Sequence, residues 1–323
     1  MEFRQIQYFI CLFEEGTVTK AARRLNIVQP ALSMQISKLE QEVGQRLFER
    51  SSHGMLPTVA ARHMYRLFLP IMRDFAQARD EVLCNEGEIA GHVNIGLIGS
   101  ITEGVLAETM TIFSAHHPKV SVTVADGYSA TLSDWVAGGQ IDAAIINKPR
   151  RPLALSVDHI VDEELLLITS AQHAGSLPAR LTLAQIATQN LALVLMTRRH
   201  GLRHIIDSFA HYDNVELAPA LEVDSLATVL KLVEQNQLAT ILPRIAVHER
   251  LRAGVLRARA ISSPRLIRQV VSVVHPRRPL NPATVVFMSM LTRQIRLRAQ
   301  EQTPATDQES VSAPADKARS TSG

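Results

Sequence analysis

The spacing of apolar residues changes twice along the chain. Residues 1 to about 57 carry apolar side chains at helical spacing, in short segments that turns separate. From residue 58 to about residue 86 one long helical pattern follows, and Thr58 stands where it can cap the first turn. After residue 90, short β-branched runs such as HVNIGLIGS and KVSVTVADGY alternate with helical stretches. This alternation predicts an α/β region with a mostly parallel sheet.

Two apolar patterns within residues 18–37 meet at a sharp turn. The first gives a short helix one apolar side, made by Val18, Ala21, Ala22 and Leu25. The second recurs at i, i+4 and i+7, at Leu32, Ile36 and Leu39. Between them, Asn26 can adopt the left-handed backbone of a tight turn, and Pro30 suits the first turn of a helix. Together the patterns predict a helix-turn-helix.

The second helix of this motif has a polar face with groups suited to reading DNA. Glutamine can bond the major-groove edge of adenine, serine can reach a base or a phosphate, and methionine can contact a thymine methyl. The N-terminal end of such a helix is the part that enters the groove. The alternative, a solvated helical hairpin with ordinary surface charge, stays open because such patterns also occur by chance. The face comprises Gln29, Ser33, Met34, Ser37 and Lys38.

Basic residues flank this face, although the charge balance of the region is nearly neutral. Residues 1–58 contain seven Lys or Arg against six acids, a net charge of +1. Their placement is more informative than their sum, because Lys20 and Arg23 lie on the first helix of the motif. Arg50 and His53 belong to the glycine-containing loop ERSSHGMLPT, where a wing could touch phosphate.

The long helical pattern carries an apolar seam at heptad spacing. Its members are Met64, Phe68, Ile71, Phe75, Ala78 and Val82. Such a stripe needs a partner, and a second copy of the chain would supply one. Packing against the chain's own domains is the alternative. We assign residues 59–90 to a linker and dimerisation helix.

Composition narrows the classes of function. The chain has 323 residues, a net charge of +3 and 46% apolar residues, which fits two to three domains. Its two cysteines, Cys11 and Cys84, have neither metal-ligand nor disulfide-framework spacing. No nucleophile-elbow, P-loop or metal motif occurs, so we expect no catalytic residues, no metal and no cofactor. The N-terminus lacks a signal peptide and no apolar run suits a membrane span, which predicts a cytoplasmic protein.

Residues 3–58 closely resemble the N-terminal domain of LysR-type transcriptional regulators. The resemblance is carried by the aromatic first helix, TKAARRL, QPALSMQI, the segment LEQEVGQRLFER and then GMLPT. It implies a winged helix-turn-helix in which Gln29, Pro30, Ser33 and position 34 face DNA, with a wing contact near His53. Position 34 is commonly Arg in that family, and Met34 shifts the contact toward thymine methyls or DNA shape. The full set of candidate DNA-binding residues is Thr19, Lys20, Arg23, Gln29, Pro30, Ser33, Met34, Ser37, Lys38, Arg50 and His53.

The resemblance extends to about residue 298 and implies an effector-binding domain over residues 91–299. This domain would consist of two periplasmic-binding-protein-like subdomains, residues 91–161 with 268–298 and residues 162–267. An inducer cleft would lie where strand ends meet helix N-termini, and Arg198 and Arg199 there suit a carboxylate. Each Ser or Thr at these junctions could instead be a plain helix cap. The candidates are Ser100, Ile101, Thr102, Ser129, Thr131, Arg199, His200, Gly201, Asp224 and Ser225.

The resemblance also implies partners. A homodimer, and by further assembly a homotetramer, would bind a dyad-symmetric promoter site in double-stranded DNA, and RNA polymerase would be a partner of an activator. The alternative is a cytoplasmic small-molecule-binding protein or enzyme that uses the α/β region without DNA readout. Residues 300–323 are rich in Ser, Thr, Pro and Asp and are predicted to be a disordered tail. In the LysR-type family, glycines usually precede the strand that ends at Leu242 and Pro243, and this chain has none there. We therefore expect Asn236 to adopt the left-handed conformation of the turn instead.

Overall fold

A computed structural model of the chain describes residues 1–51, 54–83, 89–172, 177–189 and 191–300. Within the helix over residues 59–83, side chains are described through residue 72 and at residue 75. The tail predicted over residues 301–323, His53 and Cys84 all lie outside these ranges.

The N-terminal head consists of three helices, a two-stranded wing and the start of a long helix. Its elements are α1 (Phe3–Glu15), α2 (Val18–Arg24), α3 (Gln29–Val43), β1 (Phe48–Ser51), β2 (Gly54–Pro57) and α4 (Val59–Leu83). Leu32 and Leu39 of α3 are fully buried with Phe9 of α1, as the apolar pattern predicted. Asn26 has a φ of 52°, so the predicted left-handed turn between α2 and α3 is confirmed.

Helix α4 begins directly after the wing. The Thr58 hydroxyl accepts a hydrogen bond from the Ala61 amide at 3.2 Å, so Thr58 caps α4 as predicted. Met64 is buried and Phe68 is partly buried against the core of the same head. The first part of the heptad stripe therefore follows the alternative interpretation, packing within one chain, while Ile71 and Phe75 are each 52% exposed.

The α/β region follows α4. Its elements before the first crossover are β3 (Gly91–Leu97), α5 (Gly99–Ile101), a π-helical turn (Thr102–Leu106), α6 (Ala107–His116), β4 (Val120–Asp126), α7 (Ser129–Ala137) and β5 (Ala143–Asn147). Those that follow are β6 (Ser156–Ser170), β7 (Arg180–Leu181), α8 (Leu183–Thr188), β8 (Ala192–Leu195), α9 (Gly201–Tyr212), β9 (Leu221–Glu222), α10 (Leu226–Gln235), β10 (Leu238–Pro243), α11 (Arg244–Arg252), β11 (Leu256–Ile261), β12 (Ile267–Val274) and α12 (Pro282–Gln300).

Two long strands join the halves of one curled sheet. Its strand order is β4-β3-β5-β12-β6-β10-β8-β9. The first half of β6 pairs with β12, whereas its second half pairs with β10 and β11. The pairs at both ends of the sheet are parallel, but the crossover strands β6 and β12 run antiparallel to their neighbours. Five strand pairs of the sheet are parallel and four are antiparallel, and every antiparallel pair includes β6 or β12, because the chain must cross between the halves and return.

Each half of the sheet has its own buried apolar cluster. One cluster joins β3, β5 and β12 to α6, α7 and α12, and the other joins β8 and β10 to α9 and α10. This arrangement matches the two-subdomain fold that was predicted, and the boundaries at residues 161 and 267 stay a prediction. None of the helices within the described ranges has the length and apolar character needed to cross a bilayer.

The expectation for Asn236 is wrong. Its backbone is extended, with φ −133° and ψ 168°, and not left-handed. The Leu232 carbonyl oxygen accepts from the Asn236 backbone amide at 3.1 Å and from its side-chain amide at 3.0 Å. Helix α10 therefore ends at an extended Asn236 that bonds back to Leu232, and not at the expected left-handed turn.

Candidate nucleic-acid interface and ligand cleft

Helix α3 divides into a buried face and an outward face. Its outward face carries the residues that the sequence singled out, and Met34 is 64% exposed. Ser33 is half-buried, and Gln29, Pro30, Ser37 and Lys38 are exposed. Pro30 lies in the first helical turn, where its missing amide costs no hydrogen bond. The polar N-terminal half of α3 is thus available to a partner.

A groove of about 640 Å³ runs along the junction of α2 and α3. Its lining is Thr19, Ala22, Arg23, Ile27, Val28, Gln29, Pro30 and Ser33. Five of the predicted DNA-binding residues therefore line one groove, namely Thr19, Arg23, Gln29, Pro30 and Ser33. Lys20 also lies on this helix and is exposed, and its amide donates to the capping Thr17 hydroxyl at 3.3 Å.

The basic residues around α3 differ in what they contact. Arg24 forms ion pairs with Glu14 at 2.8 Å and with Glu15 at 3.1 Å, which occupies its guanidinium. Within the described ranges, no ion pair engages Lys20 or Arg23. Arg50 is exposed on wing strand β1, where it pairs with Met55 of β2, and His53 lies outside the described residues.

A buried ion pair lies where the crossover strands pass between the subdomains, in the region predicted to form the ligand cleft. Arg268 of β12 donates to one oxygen of Glu163 on β6, from Nε at 3.0 Å and from Nη2 at 2.7 Å. Its Nη1 donates to Ser100 Oγ at 2.7 Å and to Asn147 Oδ1 at 3.3 Å. The other Glu163 oxygen accepts from the Ile245 amide at 2.8 Å. One network thus joins both crossover strands to both subdomains.

A second contact closes the cleft from side to side. The Tyr128 hydroxyl, before α7, donates to Asp224 Oδ2, before α10, at 2.6 Å. The other oxygen of Asp224 accepts from the Thr197 amide at 3.2 Å and from the Thr197 hydroxyl. The His200 ring meets the Tyr128 ring edge-on, with centroids 5.9 Å apart.

These contacts shift the acid–base behaviour of the three groups. The hydrogen bond to Asp224 raises the pKa of Tyr128. Burial acts to raise the pKa of Asp224, but the bonds from Thr197 and Tyr128 outweigh it and hold this pKa below its ordinary value. Burial lowers the pKa of His200, the charge of Arg268 adds to that effect, and Asp224 opposes it. His200 is therefore held neutral, with Nδ1 accepting from the Leu202 amide at 3.2 Å.

The predicted ligand residues converge only in part. A side-chain atom placed on Gly201 would lie 3.3 Å from Ser129 Oγ and from Asn147 Nδ2, so Ser129 and Gly201 meet across the cleft. Ser100, His200 and Asp224 contact Arg268 or Tyr128 in the same region, so five of the predicted residues lie at this junction of the subdomains. Tyr128, Asn147, Glu163 and Arg268 also belong to the cleft, although the sequence did not single them out.

The remaining candidates have other surroundings. Ile101 is fully buried in the core, and its amide donates to the Ile98 carbonyl at 2.8 Å. Thr102 bonds the Ile98 carbonyl at 3.5 Å, and Ser225 caps α10 by accepting from the Thr228 amide at 3.3 Å. Thr131 is half-buried within α7, and Arg199 is exposed at the rim. For Ser225, the observed contact is therefore that of an ordinary helix cap, the alternative that the sequence left open.

Comparison with known proteins agrees with this architecture. Residues 3–62 match the model of the bacterial regulatory helix-turn-helix protein, lysR family, and residues 86–296 match the LysR substrate binding domain. The nitrogen assimilation regulatory protein nac of Escherichia coli is 26% identical over 247 residues, 76% of this chain and 79% of that protein. The hydrogen peroxide-inducible genes activator of Haemophilus influenzae is 27% identical over 282 residues, 87% of this chain and 92% of that protein.

Solved structures share the whole fold. A full-length OxyR from Pseudomonas aeruginosa superimposes with a TM-score of 0.70 at 22% identity, covering 94% of this chain and 99% of that one. Full-length CbnR in complex with its target DNA gives a TM-score of 0.67 at 21% identity, covering 91% of this chain and 100% of that one. The chain belongs to the LysR family. It is a LysR-type transcriptional regulator with a helix-turn-helix DNA-binding domain and an effector-binding domain.

Proposed function

We propose that α3 inserts its N-terminal half into the major groove of a promoter half-site and reads base edges there. The observation that carries this proposal is the outward face of α3, where Gln29 and Met34 are exposed above a fully buried Leu32. Gln29, Ser33 and Met34 would contact bases, while Lys20, Arg23, Lys38 and the wing residue Arg50 would contact phosphates. Thr19, Pro30 and Ser37 complete the contact surface, and His53 would add a wing contact.

Two copies of the head would act together. Leu67, Ile71 and Phe75 leave an exposed apolar stripe on α4, and a second copy of α4 is the partner that would bury it. The homodimer would present two α3 helices to a dyad-symmetric site, because half-site symmetry mirrors protein symmetry. Further assembly would give a homotetramer. The protein acts in the cytoplasm, where an activator of this type would contact RNA polymerase.

The cleft would bind a small-molecule inducer rather than catalyse a reaction. Helices α7 and α9 start at Ser129 and Gly201 on opposite subdomains, and their N-termini favour an anionic group such as a carboxylate. The exposed Arg199 adds positive charge nearby, and this charge acts to lower the pKa of Tyr128. An inducer would change DNA binding only through its different affinity for the open and closed cleft. Ser100, Thr131, His200, Asp224 and Ser225 would lie around it, while Ile101 and Thr102 would support the site from α5 and the turn that follows.

Footprinting on the promoter regions around its own gene tests this proposal. The expected result is a protected site with dyad symmetry, whose extent or hypersensitive positions change when the correct metabolite is added. Protection that is uniform along the DNA, or absent, would overturn the proposal and favour a binding protein without DNA readout.

A further inference from the structure

Val28 occupies the N-cap of α3, directly before Gln29. Its backbone is extended, with φ −81° and ψ 143°, and its carbonyl accepts from the Ala31 amide at 3.1 Å. Its side chain makes no capping hydrogen bond, and it is 69% exposed. It is therefore a large aliphatic group that faces outward at the end of α3 that leads toward DNA.

An aliphatic residue is a poor choice for this position on grounds of stability. Ser, Thr, Asp and Asn stabilise a helix N-terminus because their side-chain oxygen accepts from a free amide, which valine cannot do. The same chain follows this rule at three helices, where Thr17 caps α2, Thr182 caps α8 and Ser225 caps α10.

A side-chain capping bond is also missing at the N-cap residues Ile98, Tyr128 and Pro243. Ile98 and Pro243 are buried, however, and Tyr128 bonds Asp224. Places where a sequence breaks a local rule without a packing gain tend to be functional. Val28 gains no burial in exchange for the missing cap.

The surroundings of Val28 point to what it contacts. It lines the α2–α3 groove together with Arg23, Gln29 and Ser33, which are candidates for phosphate and base contacts. The one apolar group that B-DNA displays in its major groove is the thymine C5-methyl. A β-branched side chain at the leading end of a reading helix is complementary to that methyl, and to no other base edge.

We propose that Val28 is a specificity-determining residue whose methyl groups contact the C5-methyl of a thymine in each half-site. The inference rests on the proposed function, because it requires α3 to lie in the major groove. It adds a base contact and predicts that each half-site contains a thymine read through its methyl.

Methyl-deleted DNA tests the contact directly. In the protected fragment, each thymine of a half-site is replaced in turn by deoxyuridine, which removes only the C5-methyl. At one such position, the affinity of the wild-type protein should fall about fourfold, the loss expected when one buried methyl group is removed. Val28→Ala should bind the thymine duplex more weakly by about the same factor or more, and should not distinguish thymine from deoxyuridine at that position.

Two further variants separate this contact from damage to the fold. Val28→Ser supplies the missing cap, so its thermal midpoint should rise while its affinity for the thymine duplex falls. Val43→Ala alters another exposed valine at the opposite end of α3, about 22 Å away along the helix, and should leave both affinities unchanged.

The outcomes are distinct. If Val28→Ala weakens thymine and deoxyuridine duplexes equally at every position, or weakens neither, the inference is wrong while DNA readout by α3 stands. If no fragment is preferred over bulk DNA by the wild-type protein, the proposed function fails and the inference fails with it.

Discussion

The proposed DNA-facing surface and the proposed ligand cleft of this protein use their polar residues in opposite ways. On α3, Gln29 and Lys38 point outward and are exposed, so the surface needs no rearrangement to meet a partner. In the cleft, Tyr128 and Asp224 bond to each other across the two subdomains, and Arg268 is fully neutralised by Glu163. On the proposed function, the reading surface is therefore preformed, whereas a ligand must compete with contacts that the protein already makes.

The largest expected effect comes from the buried ion pair. Arg268→Leu leaves the Glu163 carboxylate buried without its partner, and we expect a loss of about 3–5 kcal/mol in the free energy of unfolding. Denaturant titration followed by fluorescence reports on the effector region, because Trp135 in α7 is the only tryptophan of the chain. Adding Glu163→Leu to Arg268→Leu should recover part of the loss, since it removes the unpaired charge.

The neighbouring pair Arg265–Glu164 is the matched control. Its charged atoms lie 3.2 Å apart, but its side chains are 69% and 44% exposed. Arg265→Leu should therefore cost no more than about 1 kcal/mol. If Arg265→Leu and Arg268→Leu lower the free energy of unfolding equally, burial of the Arg268–Glu163 pair does not stabilise the cleft.

The second effect concerns the contact across the cleft. Tyr128→Phe removes the hydrogen bond to Asp224 and keeps the ring, which shifts the balance toward the open cleft by about 0.5–1.5 kcal/mol. Hydrogen exchange at the first turns of α7 and α10 should therefore speed up by about two- to twelvefold. Tyr212→Phe, at an exposed tyrosine, should leave these rates unchanged. Unchanged exchange in Tyr128→Phe would mean that this bond does not hold the cleft closed.

The smallest effect is a dependence of stability on pH. Because the pKa of His200 is lowered from its ordinary 6.5, the unfolded chain takes up this proton at a higher pH than the folded chain. The free energy of unfolding therefore rises with pH between the lowered pKa of His200 in the folded chain and 6.5, its value in the unfolded chain. It is lost again as the pH falls through the same range. His200→Gln should flatten the pH dependence of the thermal midpoint at and below about pH 6.5.

If the thermal midpoint of His200→Gln varies with pH as strongly as that of the wild type, His200 is not the neutral imidazole inferred here. His204→Gln changes an exposed histidine of α9 and is the control.

The sequence predicted the head better than the cleft because the head's pattern is local. Leu32, Ile36 and Leu39 lie within two turns of one helix, so their spacing alone indicates a buried face and hence an outward one. The junction residues Ser129 and Gly201 were found for a similar reason, since each follows a strand and opens a helix.

The missed residues depend on contacts between distant parts of the chain. Glu163 and Arg268 are 105 residues apart, and Tyr128 and Asp224 are 96 residues apart. Only the pairing register of β6 with β12 places Glu163 opposite Arg268. One signal was present: Arg268 is the one charged residue of the largely apolar strand β12, and a buried charge requires a partner. Strand β6 offers four acidic residues, so its Glu163 did not stand out. Without the register, that signal could not be assigned to a pair.

The central claim is that α3 reads bases while its neighbours hold the backbone, and one pair of variants tests it most directly. Affinities of Ser33→Ala and Arg23→Ala are measured for the protected fragment and for random DNA over a range of salt concentrations. We expect Ser33→Ala to weaken the specific fragment by about two- to twelvefold and to leave random DNA unaffected. Arg23→Ala should weaken both DNAs alike and reduce the salt slope by about one. Equal losses on both DNAs for Ser33→Ala would contradict base readout by α3.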